Sequence, residues 1–423
     1  MTRKLNYKYF IYFQLIFVSF IFFITTEFGL PDNIKLVCDV LTLVLLIGLM
    51  LRGFSAYATR LHLVDYLILI FALYCIFDAI ILSVNPSFAV WRFRTIFRYF
   101  IFFYACVRFL DLEDIKRIFK ILEIVFSINL LLVLFEYFVQ GYTQDYLGGI
   151  FGVQQGSNGY QNIFLCLMLC YVIAGYFAKQ ISLFKLFYFI LSSLIISALS
   201  EIKFLYIEFI SIVIISLITW RPSRRTVIFF TCSIILFGIG IEFFRYVFPE
   251  SISFLSKQGG VSSYLSADWS GGKELGRTNA FAFIDNHFFS NHLLQLQYNL
   301  GSKNLFTNKI FGYGFGSTSP SSLMDNHFAQ DYAKTSFNAF TFSSLYLDIG
   351  FVGLMLYSLI FICMLFFFIN KAKFCKNNMW IKFSIVFTIV VMLNIWYGNL
   401  FTEFAFFVFF ALSTGYIALK RKR

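Results

Sequence analysis

The sequence predicts an all-α polytopic membrane protein, and three observations carry that prediction. Hydrophobic residues make up 59% of the 423-residue chain and charged residues only 13%, half of the roughly 25% carried by a soluble domain. Apolar runs recur along the whole chain, each near the roughly 18–20 residues that a helix needs to cross a bilayer core. All five prolines (Pro31, Pro86, Pro222, Pro249 and Pro320) fall between those runs, where a helix breaker is tolerated.

About twelve transmembrane helices are expected. They cover 9–30, 34–51, 63–82, 89–108, 118–139, 161–178, 182–200, 202–220, 226–247, 344–369, 379–398 and 400–419. The start, MTRKLNYKYF, resembles a signal-peptide n-region. The apolar run after it is too long, however, and leads into TTEFGLPDN without a small-residue cleavage site, so it reads as a retained first helix. Trp91, Trp220 and Trp380 lie at span ends, as an interfacial aromatic belt requires.

Lysine and arginine set the orientation. Arg3, Lys4, Lys8, Arg52, Arg60, Arg108, Lys116, Arg117, Lys120, Lys179, Arg221, Arg224, Arg225, Lys371, Lys373, Lys376 and the terminal KRKR fall in alternate loops. That side is the expected cytoplasm, and both termini belong to it. The net charge of +12 is then a topology signal with some attraction to anionic lipid. It is scattered over membrane-flanking loops rather than gathered on one face, which argues against nucleic acid.

The chain divides into spans one to nine (1–247), one large extracytoplasmic loop between helices 9 and 10 (248–343), and the last three spans with a basic tail (344–423). A smaller exterior loop covers 140–160. No half-length repeat is visible, which counts against a repeated transporter architecture. None of the eight cysteines lies in an exterior loop, so no disulfide framework is implied. Cys166 and Cys170 share a helix face and read as packing residues. In the large loop, TNAFAFIDNHFFSNHLLQLQYN predicts one or two helices with apolar residues able to lie on the membrane surface. His287 and His292 are five apart, a poor spacing for one metal site on a helix. GYGFG (312–316) precedes a Ser/Pro-rich stretch rather than a helix, so it predicts tight turns and not a nucleotide fingerprint.

AVWRFRTIFRYFIFF (89–103) places Arg92, Arg94 and Arg98 at the outer mouth of span four. One arginine there is explained by snorkelling to lipid phosphate; three ask for more. Glu201, Lys203 and Glu208 flank the exterior turn LSEIKF, and Asp78, Glu136, Glu242, Arg245 and Glu403 fall near outer helix ends. Intramembrane charge is costly and marks function by default. Guanidinium groups bind phosphate oxygens in a fixed fork, so the three arginines suggest a site for a lipid-linked phosphate or pyrophosphate.

At this point the chain resembles the Wzy-type O-antigen polymerases and the related O-antigen ligases, with their GT-C-like architecture. FGVQQGSNGYQN (151–162) is similar to the family's Gly…Asn segment before a span. LSEIKF stands where the family has Ser followed by a basic residue, which points to Lys203. GRTNAF (276–281) is similar to a Gly-Arg motif opening the large-loop helix, which points to Arg277. IFGYGFGS and LYLDIGFVGLMLY resemble two further segments in the right order.

The resemblance implies a metal-independent glycosyltransferase acting outside the cytoplasm, in the cell inner membrane, on undecaprenyl-pyrophosphate-linked oligosaccharides. A flippase and a chain-length regulator are the implied partners, and no cofactor is expected. Arg98, Lys203 and Arg277, with Arg94 and Arg92 behind them, would hold the leaving pyrophosphate. Asp325, His327 and Glu201 are the candidates for the base that takes the acceptor hydroxyl proton. Ligases carry a His-Asn pair before the last Gly-x-x-Gly; here Phe337 precedes Asn338, and His327 lies ten residues earlier. That departure favours a polymerase, with ligase or flippase as the alternatives.

Overall fold

The computed structural model describes residues 6–52, 63–267, 270–271, 273–302, 304–321, 324–375 and 378–420. The basic residues Arg3, Lys4, Arg60, Lys376 and the last three of the tail lie outside the described residues. Regular structure among the described residues is helical, with no strand.

Nine helices precede the large loop: α1 (Lys8–Glu27), α2 (Leu36–Arg52), α3 (Leu63–Ile81), α4 (Pro86–Phe109), α5 (Leu112–Phe138), α6 (Ser157–Phe177), α7 (Leu183–Leu199), α8 (Lys203–Thr219) and α9 (Arg224–Val247). The loop itself folds into short helices α10 (Pro249–Ser256), α11 (Gly260–Ser266), α12 (Ala280–Ile284), α13 (His292–Tyr298), α14 (Leu305–Phe311) and α15 (His327–Asp331). Then come α16 (Thr341–Phe374), α17 (Met379–Tyr397) and α18 (Ala405–Lys420). Eight of these helices, among the described residues, are long and apolar enough to cross a membrane.

The helix starts are written locally. Asp111 accepts from the Glu113 and Asp114 amides at 2.8 and 2.9 Å, and the Asp114 carboxylate accepts in return from the Asp111 amide. That is a capping box, with its acids at the positive end of the helix dipole. Asn85 caps α4, whose first residue is Pro86; a proline there forfeits no helical hydrogen bond.

Burial sorts the helices. In the spanning stretch of α6, 94% of residues are buried against protein, compared with 28% for α9. The helices α6, α17 and α18 therefore form the centre and α9 an edge, with α16 packed on α17 and α3, and α4 on α18. Exposed apolar side chains on the outer helices, such as Ile80 and Ile218, give the bundle an apolar flank.

Three segments differ from the sequence expectation. The 140–160 loop does not stay on the surface: Ile150 and Phe151 plunge between α1 and α5 and are fully buried. Their backbone is satisfied by two side chains of α5, with the Gly149 amide donating to Glu136 at 2.9 Å and the Ile150 amide to Asn129 at 3.0 Å. Irregular backbone at such depth needs that enclosure. The tenth expected span, 344–369, is longer and broken. α16 bends at Ile349 and Gly350, where Gly350 has φ of 63° and a Cβ would come within 2.2 Å of the Ile310 carbonyl oxygen. The bend accepts the GYGFG segment, whose Tyr313 and Gly314 amides donate to the Leu347 and Asp348 carbonyls at 2.9 Å each. Finally, the twelfth expected span begins five residues late, because 398–404 is held off-helix by Thr341, whose amide donates to the Gly398 carbonyl and whose hydroxyl accepts from the Leu400 amide.

Candidate functional site

At the end of the bundle where the 140–160 loop, the 199–203 turn and the large loop converge lies a cavity of about 670 Å3. Its helix-bundle side is formed by the ends of α6, α8 and α17, and its other side by loop residues from Tyr264 to Phe340.

Lys203, Arg277 and Glu201 all line this cavity. Glu201 sits in the turn before α8 with φ of 54°, and its carboxylate pairs with Lys203 at 3.0 Å. The Ser251 hydroxyl donates to the same Glu201 oxygen. Arg277 is brought in by the Gly-Arg step. A Cβ on Gly276 would lie 2.2 Å from the Ser266 carbonyl carbon, so only glycine lets the chain lie against the end of α11. The Arg277 amide then donates to the Leu265 carbonyl at 2.6 Å.

The Arg277 guanidinium is built in by rings, not by acids. It lies 3.9 Å from the Tyr397 ring centroid and 4.7 Å from that of Phe340. Tyr397 in turn stacks on Phe204 at 3.6 Å and shares a hydroxyl contact of 3.1 Å with Tyr264. Nε reaches the Tyr397 carbonyl at 3.4 Å. Among the described residues no carboxylate lies at ion-pair distance from Arg277, although its charge acts on the Asp145 carboxylate that lines the same cavity.

Asp145, which sequence reasoning passed over, also lines the cavity. Its side chain keeps contact with solvent, yet crowding by the cavity wall, and secondarily the Glu201 carboxylate, hold its pKa above the ordinary value of 3.8. Asn158 donates to one carboxylate oxygen and orients it. Polar and aromatic groups alternate around the remaining wall, with Asn162, Asn394 and Asn399 beside Tyr160, Tyr264 and Tyr397.

The arginines of α4 are elsewhere. Arg92 pairs with Asp348 at 2.8 Å and donates to Ser344 at 2.7 Å. Arg94 pairs with Asp39 at 3.1 Å over the Trp91 ring. Arg98 bridges Asp39 and Glu403, at 3.1 and 3.2 Å, and donates to the Tyr99 hydroxyl at 2.6 Å. None of the three lines the cavity. Each is ion-paired with a carboxylate within the bundle, Arg94 and Arg98 sharing Asp39. The counter-signal was present in the sequence: Asp39 and Asp348 lie inside apolar runs as unusual for acid as for base.

His327 and Asp325 stand on the exposed surface around the start of α15, outside the cavity lining. Asp325 accepts from Gln330 at 3.3 Å. The short helix holds them there because Asn326 between them is the buried residue, donating to the Ser317 and Ser319 carbonyls. Comparison with protein-family models, characterised proteins and solved structures finds no match for this chain.

Proposed function

We propose that this protein is a membrane glycosyltransferase that polymerises lipid-linked oligosaccharide repeat units on the outer face of the cytoplasmic membrane. The observation that carries the reading is the cavity. An arginine with no carboxylate at ion-pair distance among the described residues and a lysine converge there with three carboxylates, Asp145, Glu201 and Glu274, and with tyrosine and asparagine side chains. Aromatic faces with amide and carboxylate groups suit a sugar, and fixed cations suit the phosphate joined to it.

In the proposed reaction an acceptor hydroxyl attacks the anomeric carbon of a sugar on undecaprenyl pyrophosphate. The new C–O bond forms as the bond to the pyrophosphate oxygen breaks, and the electron pair leaves with the pyrophosphate. Arg277 and Lys203 stabilise that departing charge. The hydroxyl proton passes to a carboxylate of the cavity, Asp145 or Glu274, because Glu201 is already engaged by Lys203 and Ser251. All twelve long helices are read as spans, with both termini cytoplasmic and the cavity end outside. The polymerase reading is favoured over a ligase because His327 stands outside the cavity.

The test is deletion of the gene followed by gel analysis of surface lipopolysaccharide. Loss of polymerase leaves core carrying a single repeat. Bare core would point instead to a ligase or a flippase, and an unchanged ladder would remove the proposal.

A further inference from the structure

Beneath the cavity lies a carboxylate that the proposed reaction does not use. Glu208 lies in the second turn of α8 and is fully buried. Three donors from two other helices converge on it: Asn162 Nδ2 at 2.7 Å and Cys166 Sγ at 3.2 Å from α6, and Asn394 Nδ2 from α17. Its two carboxylate oxygens act as the acceptors for all three.

Both asparagines also line the cavity, and Glu208 decides which of their atoms is left for it. Asn394 spends its second N–H on the Val390 carbonyl at 3.0 Å, so only its side-chain carbonyl remains. Asn162 is 1% exposed, and its Oδ1 has no hydrogen-bond partner among the described residues. A buried carbonyl without a partner is rare and asks for one. Arg277, with no carboxylate at ion-pair distance among the described residues, lines the same cavity against the Tyr397 ring.

We propose that Glu208 is a positioning residue that locks Asn162 and Asn394 as acceptors, so that these two side chains take hydrogen-bond donors of a sugar while Arg277 takes its phosphate. Hydroxyl or acetamido N–H groups are drawn to those side-chain carbonyls. The inference rests on the glycosyltransferase reading, and it adds the orientation in which the substrate binds.

Glu208→Gln replaces the acceptor-only group with one that also donates. The introduced amide then satisfies Asn394 with its carbonyl and turns Asn162 about with its N–H, so that Asn162 presents N–H to the cavity in place of C=O. The paired change Glu208→Gln with Asn162→Asp restores the pattern, since the amide donates to one oxygen of the introduced carboxylate and leaves the other as acceptor.

The experiment titrates the full-length protein in detergent micelles with N-acetylglucosamine, methyl β-galactoside and inorganic pyrophosphate, using calorimetry. Loss of one hydrogen bond predicts a roughly 2- to 10-fold weaker sugar affinity in Glu208→Gln, with pyrophosphate affinity unchanged. The paired variant recovers the sugar affinity, which a merely structural role would not produce. Should Glu208→Gln fail to fold, Asn162→Leu carries the same expectation, because it removes the free carbonyl and leaves Glu208 with Asn394 and Cys166. Sugar affinity unchanged in these variants, or sugar and pyrophosphate lost together without recovery in the pair, overturns the assignment. So does a wild-type protein that binds pyrophosphate and neither sugar. Binding of no probe by the wild type sinks the glycosyltransferase reading itself, and this inference with it.

Discussion

Replacing Asp348 with alanine tests whether the arginines of α4 serve the fold. The Asp348 side chain is fully buried and that of Arg92 is 5% exposed, with 2.8 Å between them. The other Asp348 oxygen accepts from the Gly316 amide at 3.1 Å and from the Thr318 hydroxyl at 3.0 Å. One carboxylate thus neutralises α4, stabilises the bend of α16 and anchors the glycine-rich segment of the large loop. Removing it leaves a guanidinium buried and uncompensated, which costs about 3–5 kcal/mol. The orphaned loop donors add to that, though not independently. Even the lower figure shifts the unfolding equilibrium more than about 100-fold. The paired change Asp348→Asn with Arg92→Met removes both charges and keeps an acceptor for the loop, so it stays within about 1.5 kcal/mol of wild type. Equilibrium unfolding in mixed micelles, followed by circular dichroism, measures both. An Asp348→Ala protein within about 1 kcal/mol of wild type would refute the reasoning, as would a paired variant no better than the sum of its parts.

Arg277→Ala removes the cavity guanidinium, so pyrophosphate binding falls at least about 10-fold while unfolding is little changed; Arg277→Lys recovers only part, because an ammonium cannot make the planar two-point contact. Calorimetric titration checks both variants. Asp145 has a raised pKa in the folded protein, so the folded state binds more protons than the unfolded state above the ordinary value of 3.8, and stability falls as pH rises through that window. The effect is small because the side chain keeps water. Asp145→Asn flattens that part of the stability profile, as pH-dependent melting would reveal. A reporter fused after residue 300 reads outside and one after residue 375 reads cytoplasmic, by alkaline phosphatase and green fluorescent protein fusions respectively; the opposite readings would invert the topology.

The sequence by itself determined the membrane-helical class, because apolar runs of span length permit little else, and its expected helix ends differ from the observed ones by up to six residues, at the start of α5. Proline and capping positions mark helix ends through local chemistry alone. It also picked out Lys203, Glu201 and Arg277, which the fold gathers around one cavity. What only the tertiary structure decided was pairing. The arginine triplet of α4 looks like an anion site until Asp39, Asp348 and Glu403 arrive from other parts of the chain. The same holds for Glu208, whose donors lie 42, 46 and 186 positions away in the chain. A charge seen along the chain has a sign but no partner. In a medium where an unmatched charge is costly and a matched one is not, its partner decides whether it binds a ligand or holds the fold, and that partner is supplied by packing between helices far apart in sequence.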